Sequence, residues 1–206
     1  MYVILAEGAE SRRFGRFGTM ASLPSHNLSP EEYLALERKA DRKSEYVDGV
    51  MFLMSGASRR HNLIVGNITT ELNLRLRPLD CDVYPSDMKV RLPDSSRFFY
   101  PDVSVVCGEP DFADGERDVV LNPVLVVEVL SDSTAAFDRG KKFQAYKQIE
   151  TLIEYVLVAQ DEMVVESFVR QPGAWLHTES RGADASIILR SVSCEIPLRD
   201  IYRRAI

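Results

Sequence analysis

Residues 123–130 read "PVLVVEVL", and residues 100–107 read "YPDVSVVC". Both are short, β-branched, almost wholly apolar runs, the composition of a strand buried on both faces. Each carries one carboxylate, Glu128 in the first and Asp102 in the second. A buried, unpaired charge costs several kcal/mol, so an acid in such a run calls for a partner. Alternation puts Val124, Val126, Glu128 and Leu130 on one strand face, and Asp102, Ser104 and Val106 on one face of the other. If the two strands are neighbours with their acids on the same side, the carboxylates lie a few Å apart, and a divalent cation relieves the repulsion. Oxygen-only ligands suit Mg²⁺ or Mn²⁺ rather than zinc.

Working outward, the region after Glu128 reads as a helix, "AAFDRGKKFQAYKQI". Lys142 and Tyr146, four apart, project from one face of it, while Phe143 and Ile149 turn inward. A lysine reaching back over a metal can hold and polarise an attacking water or steady a phosphate oxygen. Lys141 is the fallback for that role; it and Lys147 are otherwise expected in solvent. Tyr146 reads equally as a core tyrosine with a wet hydroxyl.

Upstream, "SPEEYLALERK" has the signals of a helix start: Ser29 as N-cap, Pro30 in the first turn and Glu32 completing a capping box. Asp48-Gly49 between apolar runs marks a hairpin, with Glu45 on its first arm or at the end of the preceding helix. In "SRRHNLIVGNITTELNLRLRP", His61, Ile64, Ile68 and Leu72 recur at helical spacing and Pro78 stops the helix. His61 either lines a site, contacts phosphate or is structural. "DVYPSDMKVRL" and "RFFYPDVSVVC" are expected as two strands joined by "PDSS", with Asp87 and Lys89 facing solvent. "IEYVLVAQ", "MVVESFVR" and "AWLHTES" read as a meander, and "LRDIYRRA" as a last short helix. Strand runs and helix runs are segregated, which favours an α+β fold, a mixed α/β sandwich, over a doubly wound parallel sheet. Residues 1–27 are expected to form a poorly ordered leader, with Met20 a candidate for the true start, and 28–206 a single domain.

Of the 206 residues, 45% are hydrophobic and 27% charged, ordinary values for a globular chain able to bury a core. No run approaches the ~20 apolar residues of a membrane span. The three cysteines, Cys81, Cys107 and Cys194, are odd in number and widely spaced, which argues for a reducing compartment and against a disulfide framework; cytoplasm is the expected location. A net charge of −6 speaks against a nonspecific nucleic-acid binder. Positive charge can still be local, with Arg59, Arg60, Arg139, Lys141, Lys142 and Lys147 rimming one cleft.

Taken in order, "YPDVSVV", "LVVEVLSDST" and "DRGKKFQAY" resemble the PD-(D/E)xK nuclease superfamily, and more narrowly its Uma-type restriction endonuclease family. "EYVDG", "HNLIVGNI" and "IEYVLV" also match that family's pattern, so the resemblance spans roughly residues 28–170. It implies a restriction-endonuclease-like core, a central mixed β-sheet flanked by helices. It implies Asp102, Glu128 and Glu45 as metal ligands, with the Val129 carbonyl as a further oxygen and Mg²⁺ or Mn²⁺ as cofactor. The superfamily's lysine normally stands two residues after the second acid, where this chain has Leu130; the narrower family is similar to this sequence in using the following helix, here Lys142. The implied catalytic set is therefore Glu45, Asp102, Glu128 and Lys142, with Tyr146 and His61 as accessory residues, and the implied reaction is phosphodiester hydrolysis in DNA. Paired subunits commonly cut both strands, so a homodimer is compatible with this reading. The competing reading is a catalytically lapsed nuclease fold serving as a binding or assembly module.

Overall fold

The computed structural model describes residues 27–206, so most of the expected leader, residues 1–26, lies outside the described residues. The first helix, α1 (Pro30–Glu37), begins as its sequence requires. Ser29 accepts the main-chain N–H of Glu32 while the Glu32 side chain accepts that of Ser29. The hairpin β1 (Ser44–Val47) and β2 (Val50–Leu53) turns at Asp48 and Gly49, with φ of 49° and 92°. Both central residues at positive φ define the turn that matches strand twist, and this places Glu45 on β1. Helix α2 (Arg59–Leu76) ends just short of Pro78.

The next stretch departs from expectation. Four strands form where two were read: β3 (Cys81–Pro85), β4 (Lys89–Arg91), β5 (Arg97–Phe99) and β6 (Val103–Cys107). Each apolar run breaks in the middle and its halves join different sheets. The turn at Ser86-Asp87 redirects one run, and Tyr100-Pro101 the other, since proline donates nothing to a ladder. Then follow β7 (Val119–Val120), β8 (Leu125–Leu130), α3 (Ala135–Phe137), a π-helical turn (Asp138–Lys142) and α4 (Phe143–Tyr146). The meander is β9 (Glu154–Ala159), β10 (Val164–Gln171) and β11 (Ala174–Arg181), followed by β12 (Ser186–Leu189), β13 (Cys194–Pro197) and α5 (Leu198–Ile201).

Two larger sheets result, ordered β2-β1-β5-β4-β7 and β11-β10-β9-β8-β6-β3, with β12-β13 a separate pair. In the six-stranded sheet β8 and β9 run parallel and the other neighbours antiparallel, so the sheet is mixed. The alternation of β8 separates two cores. Leu125, Val127 and Val129 meet Ile64, Ile68, Leu72 and Leu76 of α2. Val126 and Leu130 meet Phe143, Tyr146, Tyr155 and the Val90–Phe99 side of the five-stranded sheet. Helix α1 covers that sheet's other face, with Tyr33 and Leu34 in one cluster with Tyr46 of β1 and Phe98 of β5. The fold is the expected α+β sandwich. Among the described residues no helix is long and apolar enough to cross a membrane.

Cysteine pairing corrects the reading from cysteine count. β3 and β6 are antiparallel with Cys81 opposite Cys107, and the two form a disulfide; Cys194 is the free thiol. Twenty-six residues apart in sequence, they are directly cross-strand in the sheet. The inference of a reducing compartment from unpaired cysteines therefore loses its premise.

Candidate active site

Strands β6 and β8 are antiparallel neighbours, with Val103 opposite Val127 and Ser104 opposite Val126. Continued by one residue, that register sets Asp102 opposite Glu128. The ladder ends there in an unusual way. The Asp102 carboxylate itself accepts the main-chain N–H of Val129, 2.7 Å from Oδ2, taking the place of a strand partner. Glu128, on the face of β8 turned toward the gap between the sheets, is 4% exposed.

Lys142 reaches this gap from the following helix. Its Nζ lies 2.9 Å from Glu128 Oε1 and 2.9 Å from Glu45 Oε1, and 3.9 Å from Asp138 Oδ1. The π-helical turn holds Asp138 and Lys142 at its two ends, both buried. π-Turns widen the local helix and recur at functional sites. Here the turn is followed by Tyr146, whose hydroxyl donates to Glu128 Oε1 at 3.3 Å. Position 130 on the strand is a leucine, and the ammonium that meets Glu128 comes from the following helix. Lys141 is exposed and plays no part in this cluster.

Glu45 projects from β1 of the other sheet. Its Oε1 also accepts the main-chain N–H of Tyr100, and the Tyr100 hydroxyl donates to Glu37 at the end of α1. Both sheets and two helices therefore meet at the cluster. His61, in the first turn of α2, places Nε2 3.2 Å from Asp102 Oδ2. Its Nδ1 is buried and without a hydrogen-bond partner.

Electrostatics follow from this crowding. Burial opposes the Lys142 charge, but Glu128 and Glu45 outweigh it and hold its pKa well above the ordinary value. Burial pushes the Glu128 carboxyl well up despite Lys142, and Asp138, Asp102 and Glu45 add to the rise. Asp138 is raised in the same way, burial first. Lysine stays charged, and the strain of surplus negative charge falls on the acids. For His61, burial opposes the charge, but the Asp102 carboxylate outweighs it and raises the pKa.

The expected residues thus gather around two linked centres, Lys142 with Glu45 and Glu128, and Asp102 with His61. Asp138 joins the first; its four-residue spacing to Lys142 in "DRGKK" is the signal in the sequence that points to it. Among the described residues no group of three or more His, Cys, Asp or Glu side chains converges as a ready-made metal site. The oxygens nearest that role are the Asp102 and Glu128 carboxylates and the Val129 carbonyl, a donor set of the hard type that Mg²⁺ and Mn²⁺ take.

Two of the cations expected to rim the site are held in ion pairs. Arg60 pairs with Asp161 and Arg139 with Glu166, each at 2.8 Å or less. Lys89, expected in solvent, is instead 4% exposed, its ammonium 2.8 Å from Asp118. The break between β3 and β4 turns it inward, and Asp118 makes its burial tolerable.

Known proteins resemble this chain along most of its length. The family model described as "Uma2: Putative restriction endonuclease" matches residues 30–199. Two Synechocystis sp. proteins are similar in sequence. The uncharacterised protein sll1609 is 38% identical over 161 residues, 78% of this chain and 91% of its own length. The uncharacterised protein slr1290 is 35% identical over 183 residues, 88% of this chain and 95% of its own. Among solved structures, a "putative nuclease belonging to DUF820" from Anabaena variabilis superposes with a TM-score of 0.71 at 16% identity, covering 87% of this chain and 99% of that one. At that identity the likeness speaks to the fold.

Proposed function

The chain belongs to the family described as "Uma2: Putative restriction endonuclease", and from that premise we propose that it is a divalent-metal-dependent endonuclease hydrolysing phosphodiester bonds in DNA. One observation carries the metal dependence. Four carboxylates, Glu45, Asp102, Glu128 and Asp138, share a largely buried neighbourhood with a single ammonium, Lys142, and one imidazole. Such a surplus of negative charge is relieved only by protons or by a cation. Asp102 and Glu128, with the Val129 carbonyl, are the groups that would hold the ion, and Glu45 stands close enough to Lys142 to share in the charge balance. When bound, the ion supplies a local positive charge that acidifies water and offsets the charge of a phosphate.

The chain's own residues supply the rest. Lys142 has three N–H donors, of which Glu45 and Glu128 take two, leaving one for an attacking water or a phosphate oxygen. Glu128 fixes the ammonium from a rigid strand, and the Tyr146 hydroxyl fixes Glu128. A charge held in place by buried partners needs no reorganisation as negative charge builds on the phosphate, the condition for strong electrostatic catalysis.

The test is incubation of the purified protein with plasmid, linear and single-stranded DNA, with Mg²⁺ or Mn²⁺, beside Glu128→Ala. Metal-dependent cleavage by the wild type alone is expected. Equal cleavage by both proteins would mean contamination and end the assignment. No cleavage by either, with no metal binding by calorimetry, would leave a lapsed nuclease fold acting as a binding module.

A further inference from the structure

We propose that β11 is a dimerisation edge: it pairs antiparallel with β11 of a second copy of this chain, about a two-fold axis at Thr178, and joins two six-stranded sheets into one. Strand β11 (Ala174–Arg181) ends its sheet, with β10 on one side and no strand on the other among the described residues. Such an edge is a row of unpaired main-chain donors and acceptors, which proteins blunt with short length, proline or lysine. The opposite edge, β3, has five residues and closes on Pro85, and the outer strands of the other sheets have four residues or fewer. β11 has eight, with neither proline nor lysine among them.

Hydrogen-bond parity restricts how two such edges can meet. The Gly182 N–H donates to the Met163 carbonyl at 2.9 Å, one step beyond the Val164–Arg181 pair, so even-numbered positions of β11 direct their main-chain groups at β10. The main-chain groups of Trp175, His177, Glu179 and Arg181 therefore point outward. Outward groups must meet outward groups, so only registers that pair odd positions with odd are open. Two of these overlap nearly the whole strand. The register centred on His177 sets the two imidazoles against each other and Trp175 against Glu179. The register centred on Thr178 pairs His177 of each copy with Glu179 of the other, and Trp175 with Arg181. An imidazole then meets a carboxylate, and an indole meets a guanidinium, twice each by symmetry.

These four side chains share one face of the strand. His177, Glu179 and Arg181 are exposed there, and Arg181 and His177 are steadied along the edge by Glu162 and Glu166 of their own chain, at 2.7 and 3.4 Å. The Trp175 ring lies 5.3 Å from that of Phe143, in the cluster that holds Val126 and Leu130. This is the Glu128 side of the sheet. A two-fold axis perpendicular to the joined sheet therefore puts the Lys142–Glu128 clusters of both copies on the same side.

The experiment is sedimentation equilibrium on the full chain, with site-directed cross-linking. The wild type is expected to form a reversible dimer. In the proposed register Thr178 stands opposite itself in a non-hydrogen-bonded pair, where Cα atoms approach to about 4.5 Å, within reach of a disulfide. Thr178→Cys, with the free Cys194 changed to serine, is expected to link two chains under mild oxidation, whereas Leu176→Cys, two positions from the axis, is not. His177→Glu sets like charges against Glu179 on both sides of the axis and is expected to weaken the dimer on the order of 10-fold or more. A chain that stays monomeric up to about 100 µM, a dimer that Thr178→Cys does not link, or one that His177→Glu leaves equally tight overturns the proposal. The exposed Thr178 position keeps the cross-linking test decisive even if His177→Glu folds poorly. Neither measurement involves DNA or a metal, so the nuclease reading stands or falls separately.

Discussion

The ammonium of Lys142 lies 2.9 Å from Glu128 Oε1, and both side chains are about 5% exposed, although one comes from a helix and the other from the middle of a sheet. Fourteen positions separate them, and the π-turn between α3 and α4 sets the lysine over the strand. Removing one partner of such a pair strands the other. Lys142→Met is therefore expected to destabilise the metal-free protein by about 3–5 kcal/mol, as for other broken buried pairs. Urea unfolding measures this, and a change under about 1 kcal/mol would show that the cluster is not ionised as described.

Glu128→Gln should behave differently, because it removes one of four crowded acids and keeps the side-chain shape. The Glu128 carboxyl is raised well above its ordinary value of 4.5, burial being the main cause. A raised acid means that the folded state binds more protons than the unfolded state, so this group's contribution to stability falls as pH rises from about 4.5. Glu128→Gln removes that slope. Metal-free stability at neutral pH is expected to be equal to the wild type or higher, while the stabilisation given by saturating Mn²⁺, about 2.7 kcal/mol at a hundred times Kd, disappears. Denaturant melts at pH 5 and 8, with and without Mn²⁺, check both statements.

Asp118 governs acid stability at the opposite side of the five-stranded sheet. The Arg38 guanidinium, with help from Lys89, lowers its carboxyl from 3.8 to about 2. A depressed acid gives stability that is present above the unfolded pKa and lost as pH falls through the folded one. Since the pair is partly open to water, the contribution is on the order of 1–2 kcal/mol rather than the full value of the shift. Asp118→Asn should lower stability at pH 7, and the difference from the wild type should shrink between pH 4 and 2. A difference that stays constant over that range would exclude the ion pair as its cause.

The Cys81–Cys107 bridge ties edge strand β3 to β6, the strand that follows Asp102. Cys81→Ser with Cys107→Ser should cost about 2–4 kcal/mol under oxidising conditions and nothing relative to wild type in excess dithiothreitol. Thiol titration of the unfolded, unreduced wild type should count one free cysteine, Cys194. Three free thiols in freshly purified protein would show the pair to be reduced.

Much of the fold is legible in local sequence because the signals are local. Ser29 and Glu32 cap α1, Asp48-Gly49 turns the hairpin, and Pro78 follows α2 within two residues of its end. The breaks at Ser86-Asp87 and Pro101 are not read from it, each run reading as one strand. That the two halves of each run enter different sheets is not legible either, because pairing partners are chosen by long-range contacts. Lys89 was misread for the same reason: its partner Asp118 lies 29 residues away. The cysteine pair is a third case, decided by the register of β3 on β6.

Acids within apolar runs are also not sites by themselves. Glu154, in the run "IEYVLV", is fully buried, yet its carboxylate is satisfied by Ser167 and by the main chain and hydroxyl of Ser191. Asp102 and Glu128 differ from it in what surrounds them. Composition and alternation alone determined that the runs 100–107 and 123–130, which hold β6 and β8, are core strands with one acid in each run, and that a lysine is absent from position 130. Only the tertiary structure decided that those strands are neighbours, that Glu128 and Glu45, from two different sheets, converge on Lys142 of the helix, and that His61 faces Asp102. Backbone propensity acts over a few residues, whereas the charge balance of a buried site is set by whichever groups the packing of distant segments brings within a few Å.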